Sequence, residues 1–174
     1  MEGKLRYLAP MDDDCTIRLA TVADAPALAR HRAEMFRDMG ELPDELYDPL
    51  LEAARQALRE CLGTGEYVGW VACPADRPDQ IVAGAGIQLR RLLPRPEPGR
   101  HELRRGPEAI VVNVFTERAW RRRGLARHLM ERVIAWAREH GVARLVLHAS
   151  PEGRPLYDRL DFVPTNEMRY RGRL

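Results

Sequence analysis

An α/β fold, with a mixed, twisted sheet covered by helices, follows from three observations on this 174-residue chain. The run Ala109-Ile-Val-Val-Asn-Val-Phe115 reads as an apolar strand, and a helix-length amphipathic segment separates it from a second strand, Arg144–Ala149. Strand, helix and strand in that order form a right-handed crossover between neighbouring parallel strands. Tyr67–Ala72 and Gln80–Leu89 flank the turn-rich Pro74–Asp79 and read as an antiparallel hairpin. Finally, 45% hydrophobic and 31% charged residues describe a folded domain with a proper core, not a disordered chain.

The elements run as follows. Residues 1–15 have no steady period and read as a flexible leader, and 16–174 as a single domain. Thr16–Ala20 alternates as a half-buried strand does. Thr21-Val-Ala-Asp24 is a capping box, and Pro26 sits near the start of the helix it opens. Leu28, Arg32, Met35 and Met39 stripe that helix, which ends at Gly40. A second helix opens at Pro43-Asp44, with Leu46, Leu50, Ala54, Ala57 and Cys61 on one face and Gly63 as its stop. Gly84 and Gly86 in the second hairpin strand mark a bulge. The segment from Pro94 to Pro107 has four prolines and reads as a loop without regular structure. After it come a strand over 109–116, a helix over 124–140 with Leu125, Leu129, Val133 and Ala137 inward, a strand over 144–149, a short helix over 153–160 and a last strand over 162–170.

Composition removes several function classes. The net charge of +2 is too small to argue for a nucleic-acid partner. Its distribution is uneven: residues 1–60 carry 8 Lys+Arg against 13 Asp+Glu, while 61–174 carry 20 against 13. Cys15, Cys61 and Cys73 show no CxxC and no metal-type spacing, so they read as reduced cysteines of a cytoplasmic protein with no metal. No apolar run reaches the roughly 18 residues of a membrane span, and no signal-peptide core precedes Asp12-Asp-Asp14.

Positive charge gathers where the strand over 109–116 turns into the following helix, at Arg121-Arg-Arg-Gly124-Leu-Ala126-Arg127. A glycine and arginines at a helix N-terminus suit a phosphate, because the free N–H groups of the first turn and the helix dipole point at the anion. The segment lacks the GKS/T of nucleoside triphosphate sites and the GxGxxG of dinucleotide sites. It resembles the Arg/Gln-x-x-Gly-x-Gly/Ala acyl-CoA motif of the GNAT superfamily of N-acetyltransferases. A second motif of that family, Asn-x-x-Ala-x-x-x-Tyr-x-x-x-Gly-Phe, is matched by Tyr157 and Phe162 at the right spacing, with Ser150, Gly153 and Asp161 as substitutions.

The resemblance implies a mostly antiparallel sheet with a central, splayed parallel pair, and acetyl-CoA as co-substrate. It implies that the backbone of Val114, Phe115 and Thr116 grips the pantetheine arm, and that Arg121, Arg122, Arg123, Gly124, Leu125, Ala126 and Arg127 hold the diphosphate. Ser150, at the family's Asn position, would bond the pantetheine or cap a helix, and Tyr157 would protonate the leaving thiolate. Glu108, taken as an exposed strand-end carboxylate, is the base expected to act through a water; Glu34, Glu117 and His148 are further choices. Asn113, polar in mid-strand, needs a partner. An acidic stretch, Glu34 to Asp48, and Met35, Phe36, Met39 and Leu42 would wall the site of a small-molecule or peptide amine. A silent acyl-CoA-binding module on the same fold is the alternative. Members of the family often pair, and Met168–Tyr170 offers an edge for a homodimer.

Overall fold

A computed structural model of the chain describes residues 14–97, 99–170 and 172. Its elements are β1 (Cys15–Leu19), α1 (Ala25–Asp38), α2 (Tyr47–Thr64), β2 (Tyr67–Pro74), β3 (Ala83–Arg90), β4 (Arg95–Pro96), β5 (Leu103–Arg104), β6 (Glu108–Thr116), α3 (Leu125–Glu139), β7 (Arg144–Leu147) and α4 (Arg154–Asp158). Five strands form one sheet in the order β1-β2-β3-β6-β7, antiparallel throughout except for the parallel pair β6–β7. This is the mixed sheet that the element order predicts.

Both faces of the sheet are covered. Leu28 and Ala29 of α1 and Ala54 and Leu58 of α2 pack on Tyr67, Val71 and Cys73. On the other face, Leu125, Leu129, Met130 and Val133 of α3 pack on Trp70, Ala72, Ala109 and Val111. β2 is therefore apolar nearly throughout, as a strand buried on two sides must be. The buried face of α1 is mostly small, with Ala25, Ala29 and Ala33 beside Leu28, which lets the helix lie close to the sheet. Among the described residues no helix is long and apolar enough to cross a membrane.

Several expectations shift. Most of the leader, residues 1–13, lies outside the described residues; Cys15 already belongs to β1, buried and paired with Pro74. Of the stripe expected on α1, Leu28 is buried, Arg32 half-buried and Met39 exposed. A 3₁₀ turn over Asp44–Leu46 precedes α2 and changes its phase, so Leu51, Ala54, Leu58 and Leu62 face the core while Leu46 and Ala57 are exposed. That helix runs past Gly63 and stops at Gly65, whose φ is +77°. The proline-rich loop does hold regular structure: β4 and β5 pair through Arg95–Arg104 and Pro96–Leu103, braced by the Glu97–Arg104 ion pair. Residues 162–170 carry no strand and are mostly exposed, so the edge expected at Met168–Tyr170 is absent.

Candidate active site

The site starts from an irregularity in β6. Val112 pairs with Gly86 and Phe115 with Gly84, so two residues of β6, Asn113 and Val114, oppose the single Ala85 of β3. The bulge expected near Gly84 and Gly86 exists, but its extra residue is on β6. Asn113 takes it up with φ +56°, a left-handed conformation that asparagine accepts more readily than most residues. Val112 packs toward α1 and α2, Val114 toward α3, and Phe115 sits 5.0 Å from the His31 ring of α1. The partner that Asn113 needs is Arg32, whose Nη1 donates to its Oδ1 at 2.7 Å.

The same bulge ends the parallel ladder. β6 and β7 pair from Glu108–Arg144 to Val111–Leu147 and no further. From Val112 onward β6 keeps only its β3 neighbour, which leaves backbone N–H and C=O groups of its second half without a ladder partner in β7.

Beyond β6 the chain passes through a 3₁₀ turn, Arg118–Trp120, and enters α3 at Gly124. Arg122 (φ +67°) and Gly124 (φ +81°) are both left-handed, one residue apart. Left-handed residues in such a turn aim successive N–H groups into one concavity, a nest for anions, here at the positive end of α3. A side chain at 124 would also crowd His128, whose Cε1 lies 3.4 Å from the Cβ it would bring. At the end of β6 the buried Thr116 hydroxyl has no hydrogen-bond partner among the described residues. A free nest, a free hydroxyl and an unpaired strand edge fit an acyl-CoA.

The arginines divide. Arg121 donates from Nε to the Thr116 carbonyl (2.9 Å), pairs with Asp38 and lies over the Phe115 ring. Arg118 pairs with the same Asp38 carboxylate at 2.6 Å, so the C-terminus of α1 clamps the loop. These two guanidiniums hold Asp38 below the usual carboxylate range, against the effect of its burial. Arg123 lies over Trp120, and Arg127 pairs with Glu131 at 2.9 Å. Arg122 is exposed, and among the described residues it has neither ion pair nor hydrogen bond.

After β7, the Ser150 hydroxyl accepts from the Gly153 N–H at 3.1 Å, so it caps the turn into α4. Tyr157 of α4 packs on the α3-side core, as Val114 does, and its ring meets Phe162 edge-on at 5.9 Å. Burial raises the Tyr157 pKa above that of a free phenol. Asp161, where the motif has glycine, takes φ +64°, so the backbone turn survives the substitution.

Glu108 lies at the end of β6 opposite the bulge and is not exposed. It is fully buried at the first residue of β6 and bridges Arg90 of β3 and Arg144 of β7, the full length of the strand away from Thr116. The expectation of an exposed carboxylate failed because both arginines are remote in sequence. Glu34 accepts from the Tyr47 hydroxyl (2.7 Å) and pairs with Arg37, and His148 is exposed beside Glu167. Glu117 pairs with Arg30 at 2.7 Å and approaches His31 Nε2 to 3.5 Å. His31 escaped the sequence reading. It is fully buried, and burial together with the nearby Arg30 lowers its pKa to about 4, only partly offset by Glu117. Its one signal was a histidine among the alanines of α1.

Comparison with known proteins identifies the family and the fold. A family model described as the acetyltransferase (GNAT) family matches residues 28–162. The chain is 28% identical over 134 residues to aminoglycoside N(6')-acetyltransferase type 1 of Stenotrophomonas maltophilia, covering 75% of this chain and 72% of that one. The crystal structure of a GCN5-related N-acetyltransferase from Ralstonia eutropha JMP134 superposes with a TM-score of 0.76 at 30% identity, over 90% of this chain and 97% of its own. A Clostridium acetobutylicum protein described as a predicted acetyltransferase, solved with acetyl-CoA, shares the fold with a TM-score of 0.75 at 24% identity, over 91% and 96% of the two chains. With the family model spanning well over half its residues, the chain belongs to the GNAT family of acetyltransferases.

Proposed function

We propose that the protein transfers an acetyl group from acetyl-CoA to a primary amine of a small molecule or peptide, by direct attack within a ternary complex. One observation carries the reading: the β6–β7 ladder stops at Val111, just where β6 bulges, and the chain then leads into a left-handed nest at the head of α3. The nest from Arg122 to Ala126, with the exposed Arg122 guanidinium, takes the diphosphate. Leu125 and Arg127 belong to the first turn of α3, whose N–H groups face the same anion. Arg121, Arg123 and Arg127 contribute mainly by holding the loop in shape. The open edge at Val114, Phe115 and Thr116 takes the pantetheine arm and polarises the thioester carbonyl.

The amine nitrogen attacks the carbonyl carbon, charge builds on the oxygen beside the strand N–H groups, the nitrogen loses its proton to water, and the C–S bond breaks to leave the CoA thiolate, which is protonated to the thiol. Burial keeps the Tyr157 phenol protonated at neutral pH, so it hydrogen-bonds the departing sulfur. A thiol is a stronger acid than a phenol whose pKa burial has raised, so the stabilisation comes from that hydrogen bond more than from complete proton transfer. Ser150 braces the turn that leads into α4, the helix that carries Tyr157. No single side chain is assigned as the base, since Glu108 is locked in its ion pairs.

Thiol release from acetyl-CoA, followed against a panel of amines with aminoglycosides included, tests this. At least one amine should release thiol well above the hydrolysis rate. Tyr157→Phe should lower kcat by about 100-fold while leaving acetyl-CoA affinity in place. Tight acetyl-CoA binding with no turnover on any amine would point instead to a silent acyl-CoA-binding module.

A further inference from the structure

On the α1–α2 side of the bulge lies a cavity of about 130 Å³. An engineered cavity of about 150 Å³ holds a benzene molecule, so this one takes a group of several heavy atoms. Its wall includes Ala54 and Leu58 of α2, and its polar lining is Arg32, Tyr67, Gln88 and Asn113. No carboxylate lines it. Arg32 is half-buried, and burial lowers its pKa. Its hydrogen bond goes to the neutral Asn113 amide, and among the described residues no carboxylate pairs with it. A guanidinium drawn out of water without a counter-charge is costly, and proteins normally pair one.

A second observation points at the same space. Tyr67 is 3% exposed, with the Asn113 amide and Arg32 beside its oxygen, and among the described residues its hydroxyl has no acceptor for its proton. Burial raises its pKa, so it remains a donor at any physiological pH. The ring lies flat on the sheet over two glycines. A Cβ at Gly69 would stand 2.7 Å from the ring, and one at Gly86 would stand 2.1 Å from the hydroxyl oxygen. The sheet is hollowed to set that hydroxyl in one place. A cation without an anion and a donor without an acceptor share one cavity, and Asn113 joins it to the point where β6 parts from β7.

We propose that this cavity is an anion subsite for the acceptor, and that the acceptor is an amine which also bears a carboxylate, bound by the Arg32 guanidinium and the Tyr67 hydroxyl. The assignment rests on the acetyl-transfer reading above and narrows it: a polycationic acceptor would meet Arg32 with like charge. The carboxylate supplies the missing counter-charge and directs the amine toward the open edge of β6.

The test uses matched acceptors, each a straight-chain amino acid from glycine to 6-aminohexanoate paired with its primary amide, and follows thiol release from acetyl-CoA. For at least one length the acid should exceed its amide by about tenfold or more in kcat/KM. Arg32→Ala should bring the acid-to-amide ratio close to one. Tyr67→Phe, which keeps the ring and removes only the hydroxyl, should reduce that ratio several-fold and so guards against a folding artefact in the first variant. Equal rates for acid and amide at every length, or a ratio that survives in both variants, overturns the subsite. If neither form is turned over, calorimetry on CoA-saturated protein decides. Binding of the acids but not the amides, weakened by Tyr67→Phe, upholds the subsite and removes acetyl transfer. Equal or absent binding removes the subsite itself.

Discussion

The two ends of β6 are built on opposite plans. At Glu108 the strand is held on both sides, since one buried carboxylate ties β3 and β7 to it through Arg90 and Arg144. At Thr116 it has a neighbour on one side only, an asparagine forced left-handed a few residues earlier, and a hydroxyl without a partner. Polar groups at the first end satisfy one another, whereas those at the second are left for something else. A strand can open for a ligand at one end because it is anchored at the other.

Three changes probe this contrast, the largest first. Gly124→Glu sets a carboxylate and a strained φ at the mouth of the nest, and acetyl-CoA affinity should fall by about a thousandfold or more in calorimetry. Unchanged affinity would move the phosphate site elsewhere and remove the functional meaning of the open end.

The second is a pH effect at that same end. Folding carries His31 from the ordinary value of 6.5 down to about 4. A depressed histidine gives stability that is complete above pH 6.5 and lost as pH falls toward 4, because the unfolded chain takes up the proton first. Denaturant melts should show about 3 kcal/mol lost to this group between pH 7 and pH 4. His31→Gln should flatten that part of the profile; an identical slope in the variant would clear His31 of the effect.

Third, Glu108→Gln breaks the anchor. Removing one partner of a buried ion pair costs about 3–5 kcal/mol. Both arginines keep solvent contact here, with side chains 51% and 33% exposed, so a loss of about 2 kcal/mol is expected by denaturant melts. Acetyl-CoA affinity at a temperature well below melting should hold. A variant as stable as the parent but unable to bind acetyl-CoA would show that the two ends are not separate.

What could be read from the sequence differs between the same two regions. The strand-turn-helix at Gly124 was legible because it is local: apolar alternation, a glycine and an amphipathic helix lie in one continuous run. Asn113 was legible as an anomaly, a polar residue lacking a partner, though not as the bulge itself. The pairings of Glu108, Asp38 and Asn113 cross 18 to 83 residues of chain, and no local pattern announces them. The last strand failed for a related reason. Residues 162–170 have strand-like composition, but whether a segment pairs depends on a neighbour that the sequence does not name.

The seat of Tyr67 has a consequence for how the protein can change. Residues 67, 69 and 86 sit on two strands yet behave as a single unit, because the ring fills the space where two side chains would begin. Adding even a methyl group at 86 evicts the hydroxyl, so such a step is open only to a chain that has first shrunk residue 67. Descendants that make that move would abandon the donor and, with it, the proposed carboxylate subsite. These three positions should therefore change together, and a bulkier residue at 86 would mark a chain that has given up the Tyr67 hydroxyl.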